Sequence, residues 1–451
     1  MLCEKCTHCG LCEGDGIFFQ NKDIFVETSS KSVFCGIKNS SSADVGLAFD
    51  IGTTTIVVKA FSLQSGTELF CFGEQNSQVK FGSDVIARVN YASSKSGFEE
   101  LCSSLKTQLE KLVLLAMMNV SSKFLSLRKG NPFLKEIVLV GNTAMLSFAA
   151  KLSVSSLEKF PFKSPSEFGF EENASLYLTS SFITDSTKIY FAPVISAFAG
   201  GDAVSAVLSS FDFFSEKMQF LADLGTNCEM AIFSKKSNQL VFTSSSAGPA
   251  FEGQGIECGS SAFPGAISKV SFSKKDEKFL CTVIANLEPK SICGTGLISA
   301  VSECLKFNLI DFSGAILSEK SGSDAKRIYL SKEVFISQND IRNLQLAKSA
   351  VKTGLSFLGR EFSEHDLEKS VLYLAGGFGE KLDNSAALKI KLFPSYLKKI
   401  IHCGNAALSG ASLLFDEKYR LQAKKIVQNS KSINLAESEK FQEAFIENLN
   451  F

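Results

Sequence analysis

The main hydrophobic and polar pattern in this chain is a meander of short apolar segments that occurs twice. Apolar segments at 45–50, 56–63 and 68–73, with polar turns between them, predict three antiparallel strands. A second meander is expected over 218–246, and leucines at helical spacing predict a helix over 98–120. The other predicted helices lie at 84–92, 296–307, 338–358 and 406–414. Strands and helices that recur in similar order predict a duplicated α/β fold.

An acidic turn with glycine and threonine follows the first strand of each meander. The first turn reads Asp50-Ile51-Gly52-Thr53-Thr54-Thr55 and the second reads Asp223-Leu224-Gly225-Thr226-Asn227. Glycine lets backbone N–H groups approach an anion, and hydroxyl groups donate to phosphate oxygens. Because carboxylates bind divalent cations, Asp50 and Asp223 are candidate Mg²⁺ residues. The candidate phosphate contacts are Gly52, Thr53, Thr54, Thr55, Gly225, Thr226 and Asn227.

A glycine pair follows a third buried strand, predicted at 371–374. Gly376 and Gly377 permit close approach of a flat ligand such as adenosine. Two acidic turns followed by a glycine pair, in this order, resemble the actin, Hsp70 and sugar-kinase (ASKHA) superfamily. The resemblance implies two RNase H-like lobes with ATP and Mg²⁺ in the cleft between them. Asp202, beside two glycines, resembles a cleft carboxylate, with helix capping as the alternative role.

The N-terminal segment is rich in cysteine and predicts a metal site. Cys3, Cys6, Cys9 and Cys12 are each separated by two residues, and Cys35 follows after a gap. Soft ligands at this spacing favour a [4Fe–4S] cluster, with zinc as the alternative. Three ligands are expected at Cys3, Cys6 and Cys9, and the fourth is either Cys12 or Cys35. A segment this small needs its metal to fold.

The composition of the chain argues against nucleic-acid binding, a membrane span and export. The charges balance, with 47 basic and 47 acidic residues, so nucleic acid is not an expected partner. Apolar runs are too short to span a membrane, and the cysteine-rich start does not resemble a signal peptide. Thirteen cysteines, an odd number, without an export signal favour a cytoplasmic location and free thiols.

Six longer motifs stand out in the body of the chain: Asn76–Val85, Val140–Met145, Ala247–Gly253, Ile292–Leu297, Asp340–Lys348 and Gly404–Leu408. Together they resemble a narrower family, the iron-sulfur ATPases that act as reductive activators of corrinoid proteins. The resemblance covers residues 44–415. With it, three domains are expected: a cysteine-rich head and linker at 1–42, a first ASKHA lobe at 43–215 and a second at 216–451.

The resemblance implies ATP-dependent reduction of a Co(II) corrinoid protein to Co(I). The implied partners are a corrinoid protein or corrinoid methyltransferase component and a cellular electron donor such as ferredoxin. A homodimer is left open. The alternatives are an activator of 2-hydroxyacyl-CoA dehydratases, a small-molecule kinase with a zinc knuckle, and a non-catalytic ATP-dependent sensor. The minimal cysteine head and Cys228 in the second turn depart from the family pattern.

Overall fold

The structure is a computed structural model that describes residues 37, 40–126, 130–317, 326–435 and 438–451. Within this part of the chain, the strands are β1 (Asp44–Ile51), β2 (Thr55–Ser62), β3 (Glu68–Gln75), β4 (Phe133–Gly141), β5 (Phe170–Asn173), β6 (Lys188–Phe191), β7 (Gln219–Leu224), β8 (Asn227–Ser234), β9 (Gln239–Ser246), β10 (Ala266–Ser273), β11 (Lys278–Val283), β12 (Ser291–Ile292), β13 (Arg327–Tyr329), β14 (Phe335–Ser337), β15 (Val371–Ala375), β16 (Lys399–Gly404) and β17 (Ser430–Ile433).

The helices of the same residues are α1 (Val85–Tyr91), α2 (Lys95–Ser126), α3 (Thr143–Ala149), α4 (Ser155–Glu158), α5 (Gly201–Ser210), α6 (Gly294–Lys306), α7 (Gln338–Gly359), α8 (Glu364–Glu368), α9 (Gly377–Glu380), α10 (Asn384–Lys389), α11 (Ala406–Leu413), α12 (Glu417–Gln428) and α13 (Glu439–Glu447). Short 3₁₀ helices lie at Ser77–Phe81, Ala174–Leu176, Pro249–Glu252 and Ile284–Asn286. The five cysteines of the predicted head, Cys3, Cys6, Cys9, Cys12 and Cys35, lie outside the described residues.

The chain divides into two compact units. The first lobe contains the described residues up to Asp212 together with Asn405–Ser432. The second lobe contains Phe213–Gly404 and Ile433–Phe451. The predicted second lobe, 216–451, differs from this division at 405–432. The reason is packing, because a Cβ added to Gly410 of α11 would lie 1.9 Å from the Ser205 carbonyl oxygen of α5. The two helices therefore pack backbone against backbone within the first lobe.

The first lobe is built around a six-stranded sheet in the order β3-β2-β1-β4-β6-β5. Strands β1, β2 and β3 form an antiparallel meander, and β4 lies parallel to β1. Helix α2 is longer than predicted and buries Leu101, Leu105, Leu109 and Leu112 in the core of this lobe. Each fully buried leucine contributes ~1.5–3 kcal/mol.

The second lobe repeats the same strand pattern in a sheet that contains the neighbouring strands β16-β15-β7-β8-β9. Strands β7, β8 and β9 form the antiparallel meander, and β15 lies parallel to β7. The prediction of a duplicated α/β fold is therefore confirmed. A three-stranded sheet, β11-β10-β12, and the hairpin β13-β14 are further elements of this lobe that the hydrophobic pattern did not predict.

Candidate functional site

The first acidic turn joins β1 to β2 and is fixed by side chains from other segments. Asn76 donates from Nδ2 to the Gly52 carbonyl oxygen (2.9 Å). Asn142 donates from Nδ2 to Thr53 Oγ1 (3.0 Å). Asn142 also caps α3, because its Oδ1 accepts from the Met145 N–H (3.0 Å). One side chain therefore connects the cap of α3 to the first acidic turn.

Asp50 lies near the end of β1, next to β4, and is partly buried. Asn405, immediately before α11, donates from Nδ2 to Asp50 Oδ2 (2.8 Å). Loss of hydration on burial raises the pKa of Asp50 to about 6, and the Asn405 hydrogen bond opposes this rise. The carboxyl group is therefore oriented by an amide donor while its charge is costly to maintain.

Asp202 lies in the first turn of α5, and its carboxyl group interacts electrostatically with that of Asp50. Its Oδ1 accepts from the Ala203 N–H (2.7 Å). Burial and, as a smaller contribution, the charge of Asp50 together raise the pKa of Asp202 to about 7. Two carboxyl groups that repel each other in a partly dehydrated setting are suitable oxygen ligands for a divalent cation, whose charge favours the ionised form of both.

The second acidic turn joins β7 to β8 and is closed by its own backbone and by a carboxylate. The Gly225 N–H donates to the Asn227 carbonyl oxygen (3.2 Å). Thr226 donates to Glu252 Oε1 from both its backbone N–H (3.1 Å) and its Oγ1 (2.9 Å). The Gly248 N–H donates to the Thr226 carbonyl oxygen (3.0 Å). The two donors predicted to bind phosphate therefore contact an anionic group, the carboxylate of Glu252.

The glycine pair follows β15, which lies beside β7, and its first member packs on the second turn. Gly376 has φ = 87°, and a Cβ there would lie 2.7 Å from Asp223 Oδ1. Both observations require glycine at this position. Apart from the neighbouring backbone of its own helix, a Cβ on Gly377 would meet no atom of the described residues within 4 Å. The backbone at Gly377 thus has space for a flat group, as adenosine requires.

Two aromatic rings connect the glycine pair to the segment that carries Glu252. The rings of Phe251 and Phe378 stack with centroids 4.9 Å apart and an interplanar angle of 21°. Phe378 belongs to α9, directly after the glycine pair, and Phe251 precedes Glu252. The second lobe therefore groups the acidic turn, the Glu252 segment and the glycine pair in one region.

Within each lobe the predicted site residues lie near one another. The first lobe contains Asp50, Gly52, Thr53, Thr54, Thr55 and Asp202. The second lobe contains Asp223, Gly225, Thr226, Asn227, Gly376 and Gly377. That one nucleotide contacts both sets stays a prediction. Sequence reasoning gave no site role to Asn76, Glu252 or Asn405. Each of these residues lies in one of the six family motifs, and this position was the only indication in the sequence that they belong to the site.

Among the described residues, no group of three or more His, Cys, Asp or Glu side chains could hold a metal ion. The predicted cluster ligands Cys3, Cys6, Cys9, Cys12 and Cys35 lie outside the described residues. No helix in the described part of the chain is long and apolar enough to cross a membrane.

Comparison with known proteins identifies the class. Residues 217–451 match the C-terminal domain of RACo, described as the ASKHA domain, and residues 45–211 match the RACo middle region. The first match alone covers more than half of the chain. The chain therefore belongs to the RACo family, and both the ASKHA fold and the family resemblance are confirmed.

Individual relatives agree with this assignment. The chain is 28% identical over 432 residues to the corrinoid activation enzyme RamQ of Eubacterium limosum, covering 90% of this chain and 70% of RamQ. It is 30% identical over 291 residues to a [Co(II) methylated amine-specific corrinoid protein] reductase of Methanosarcina barkeri, covering 58% of this chain and 52% of the reductase. A solved structure of a reductive activator for a corrinoid, iron-sulfur protein matches with a TM-score of 0.79 and 28% identity, covering 92% of this chain and 67% of that protein.

Proposed function

We propose that this protein reduces the Co(II) form of a corrinoid protein to Co(I) in a reaction that depends on ATP. The observation that carries the proposal is the match of both lobes to RACo, at 45–211 and 217–451. The names of the relatives, a corrinoid activation enzyme and a corrinoid protein reductase, support this substrate class. Each turnover adds one electron to cobalt, and a cellular reductant such as ferredoxin supplies that electron.

The first lobe contributes Mg²⁺ and phosphate contacts in this proposal. Asp50 and Asp202 hold the cation, directly or through water, because their carboxyl groups interact electrostatically and lie in a partly dehydrated environment. Thr53 and Thr54 bind phosphate oxygens through the turn that Asn76 fixes at Gly52.

The second lobe contributes the remaining nucleotide contacts. Thr226 donates to phosphate through the two groups that contact Glu252, and Asp223 assists with the cation. Gly376 and Gly377 lie against adenosine. The support is the left-handed backbone at Gly376 and the space beside Gly377. Binding at these groups favours one conformation of the protein over another, and this coupling is how ATP drives an uphill electron transfer.

The N-terminal cysteines complete the proposal. Cys3, Cys6 and Cys9, with either Cys12 or Cys35, hold a [4Fe–4S] cluster. When bound, such a cluster supplies a one-electron carrier, while the protein provides binding, orientation and control of access. A kinase does not need this redox group, and a ferredoxin does not need a nucleotide site, so the combination favours an ATP-dependent electron-transfer activator.

An anaerobic comparison of partners tests the function. The protein, a reductant and Mg-ATP are mixed with Co(II) corrinoid proteins from the same cell, and the cobalt absorbance spectrum is followed. Formation of Co(I) is expected with at least one corrinoid protein. Activation of a 2-hydroxyacyl-CoA dehydratase component, with no corrinoid protein reduced, would instead identify the protein as a dehydratase activator.

A further inference from the structure

Arg88 is a completely buried cation next to the first acidic turn. It lies in α1, and its side chain has no exposed surface. Its Nη2 donates to the Thr53 carbonyl oxygen (2.6 Å), and its Nε donates to the Gly82 carbonyl oxygen (2.9 Å). Its Nη1 donates to Gln78 Oε1 (3.3 Å) and contacts Met145 Sδ (3.5 Å). The guanidinium group is therefore held rigidly by neutral acceptors, one of which belongs to the turn.

Among the described residues, no carboxylate lies within ion-pair distance of Arg88, so none of them balances the burial of this charge with a salt bridge. The acidic group whose charge acts on it is Asp84, and that carboxylate accepts from the Ala87 N–H (2.8 Å) as the cap of α1. Buried arginines are usually paired with carboxylates, because an unpaired buried charge is costly. Burial accordingly lowers the pKa of Arg88 to about 10.

The hydrogen bond to Thr53 fixes the direction of the backbone in the turn. In a trans peptide, the carbonyl group and the N–H group of the next residue point in opposite directions. Because Arg88 holds the Thr53 carbonyl, the Thr54 N–H points away from Arg88. Asn76 holds the Gly52 carbonyl in the same way, so the Thr53 N–H points away from Asn76. Two successive N–H groups in a glycine-containing turn form an anion-binding arrangement.

We propose that Arg88 is a positioning residue of the phosphate site, which fixes the N–H donors of the first turn and gives that turn a positive potential. This role rests on the proposed function, because it requires ATP phosphates at the turn. The phosphates then supply the negative charge that Arg88 lacks among its hydrogen-bond partners. The low dielectric around a buried guanidinium group makes its attraction for phosphate stronger than that of an exposed cation.

Arg420 provides a matched control in the same lobe. It is also a buried arginine, with 7% of its surface exposed, and burial lowers its pKa to about 10. Its partners are instead the carboxylates of Glu136 and Glu171 and the ring of Tyr190. In the described part of the chain, Arg420 makes no hydrogen bond or ion pair with the acidic turn. Replacing it removes a buried cation without removing a contact to that turn.

The test compares Arg88→Met, Arg88→Lys and Arg420→Met in the full chain. Calorimetry measures the binding of Mg-ATP, Mg-ADP and adenosine, and thermal unfolding defines a temperature at which each variant is folded. Arg88→Met is expected to weaken Mg-ATP binding about tenfold or more, because a hydrogen bond from a charged group is lost. The loss should be smaller for Mg-ADP and smallest for adenosine, since the potential acts on phosphate charge. Arg88→Lys should recover part of the Mg-ATP affinity, and Arg420→Met should keep wild-type affinity.

The outcomes separate the two proposals. Wild-type protein that binds no Mg-ATP contradicts the proposed function and this role together. Wild-type binding that Arg88→Met leaves intact, or weakens equally for all three ligands, contradicts only the role of Arg88. If Arg88→Met does not fold, Arg88→Lys decides. It should bind Mg-ATP more weakly than wild type, since an ammonium group cannot reproduce the two-point contact to Thr53 and Gly82, and wild-type affinity would overturn the proposal.

Discussion

Asn405 donates a hydrogen bond to Asp50 Oδ2 across 2.8 Å, although 355 residues separate them in the sequence. The same Asn405 side chain caps α11, because its Oδ1 accepts from the Leu408 N–H (2.7 Å). One residue therefore fixes a helix start and the carboxyl group of the first acidic turn. This relationship also explains why the segment around Asn405 packs with the first lobe.

Asn405→Ser tests the effect of this hydrogen bond on nucleotide binding. Serine can keep the helix cap but lacks the amide donor to Asp50. Calorimetry should show Mg-ATP affinity lowered about tenfold, as expected for loss of a hydrogen bond to a charged group. Asn119→Ala is the control, because its amide donates within its own helix, to the Leu115 carbonyl oxygen (2.8 Å). Equal affinity in both variants would contradict the orienting role of Asn405.

The raised pKa values of Asp50 and Asp202 predict a pH dependence of stability in the absence of Mg²⁺. Their folded pKa values, about 6 and about 7, lie above the ordinary value of 3.8. The stabilisation from proton uptake is therefore present at low pH and is lost as pH rises through 6 and 7. Each unit of difference between folded and unfolded pKa corresponds to about 1.4 kcal/mol.

The Asp202→Asn variant should lose less stability than wild type as pH rises, because its amide does not ionise. With a chelator present, thermal unfolding of the variant should show little gain over wild type near pH 4, below which both states are protonated, and a clear gain at pH 8. Saturating Mg²⁺ should stabilise wild type at pH 8 and reduce the difference between the proteins. Parallel pH profiles for the two proteins would show that folding does not raise the pKa of Asp202.

Glu252→Gln should strengthen Mg-ATP binding. The Glu252 carboxylate contacts both donors of Thr226 and competes with phosphate for them. Removing its charge should raise affinity about three- to tenfold, in line with the repulsion of like charges near a protein surface. Glu257→Gln is the control, because Glu257 pairs with Arg327 (3.2 Å) on the surface of the same lobe. Weaker binding in Glu252→Gln would indicate that the carboxylate assists the nucleotide instead.

The cysteine head predicts a defined metal content. Protein purified without oxygen should contain about four iron and four sulfide per chain, as one [4Fe–4S] cluster requires. Cys6→Ala should lose most of both while keeping Mg-ATP affinity. Separate Cys12→Ala and Cys35→Ala variants should identify the fourth ligand. Stoichiometric zinc without sulfide would reject the cluster.

The sequence predicted those elements whose signal is local. The strands of both meanders and the helix start at Gln338 follow from residues close together in the chain. Leucine spacing predicted α2, although its ends extend to Lys95 and Ser126 because the polar residues there carry no apolar signal.

The remaining features depend on contacts that a local pattern does not contain. The packing of α11 in the first lobe requires Gly410 to meet Ser205, and nothing near Gly410 in the sequence indicates this contact. In the sequence, Arg88 has the pattern of an ordinary exposed helix residue, and only the structure shows that it is buried. In the sequence, Glu252 likewise belongs to a glycine-rich segment, and only the structure shows that it accepts a hydrogen bond from Thr226.

The most direct test of the account is whether nucleotide controls the reduction of cobalt. Under anaerobic conditions, reductant and a Co(II) corrinoid protein from the same cell are mixed with wild type, Asp50→Asn or Cys6→Ala, with and without Mg-ATP. The appearance of Co(I) is then measured by absorbance. The account predicts Co(I) only with wild type and Mg-ATP, while Cys6→Ala still binds nucleotide and forms none. Co(I) that forms equally without ATP, or with Asp50→Asn, would contradict it.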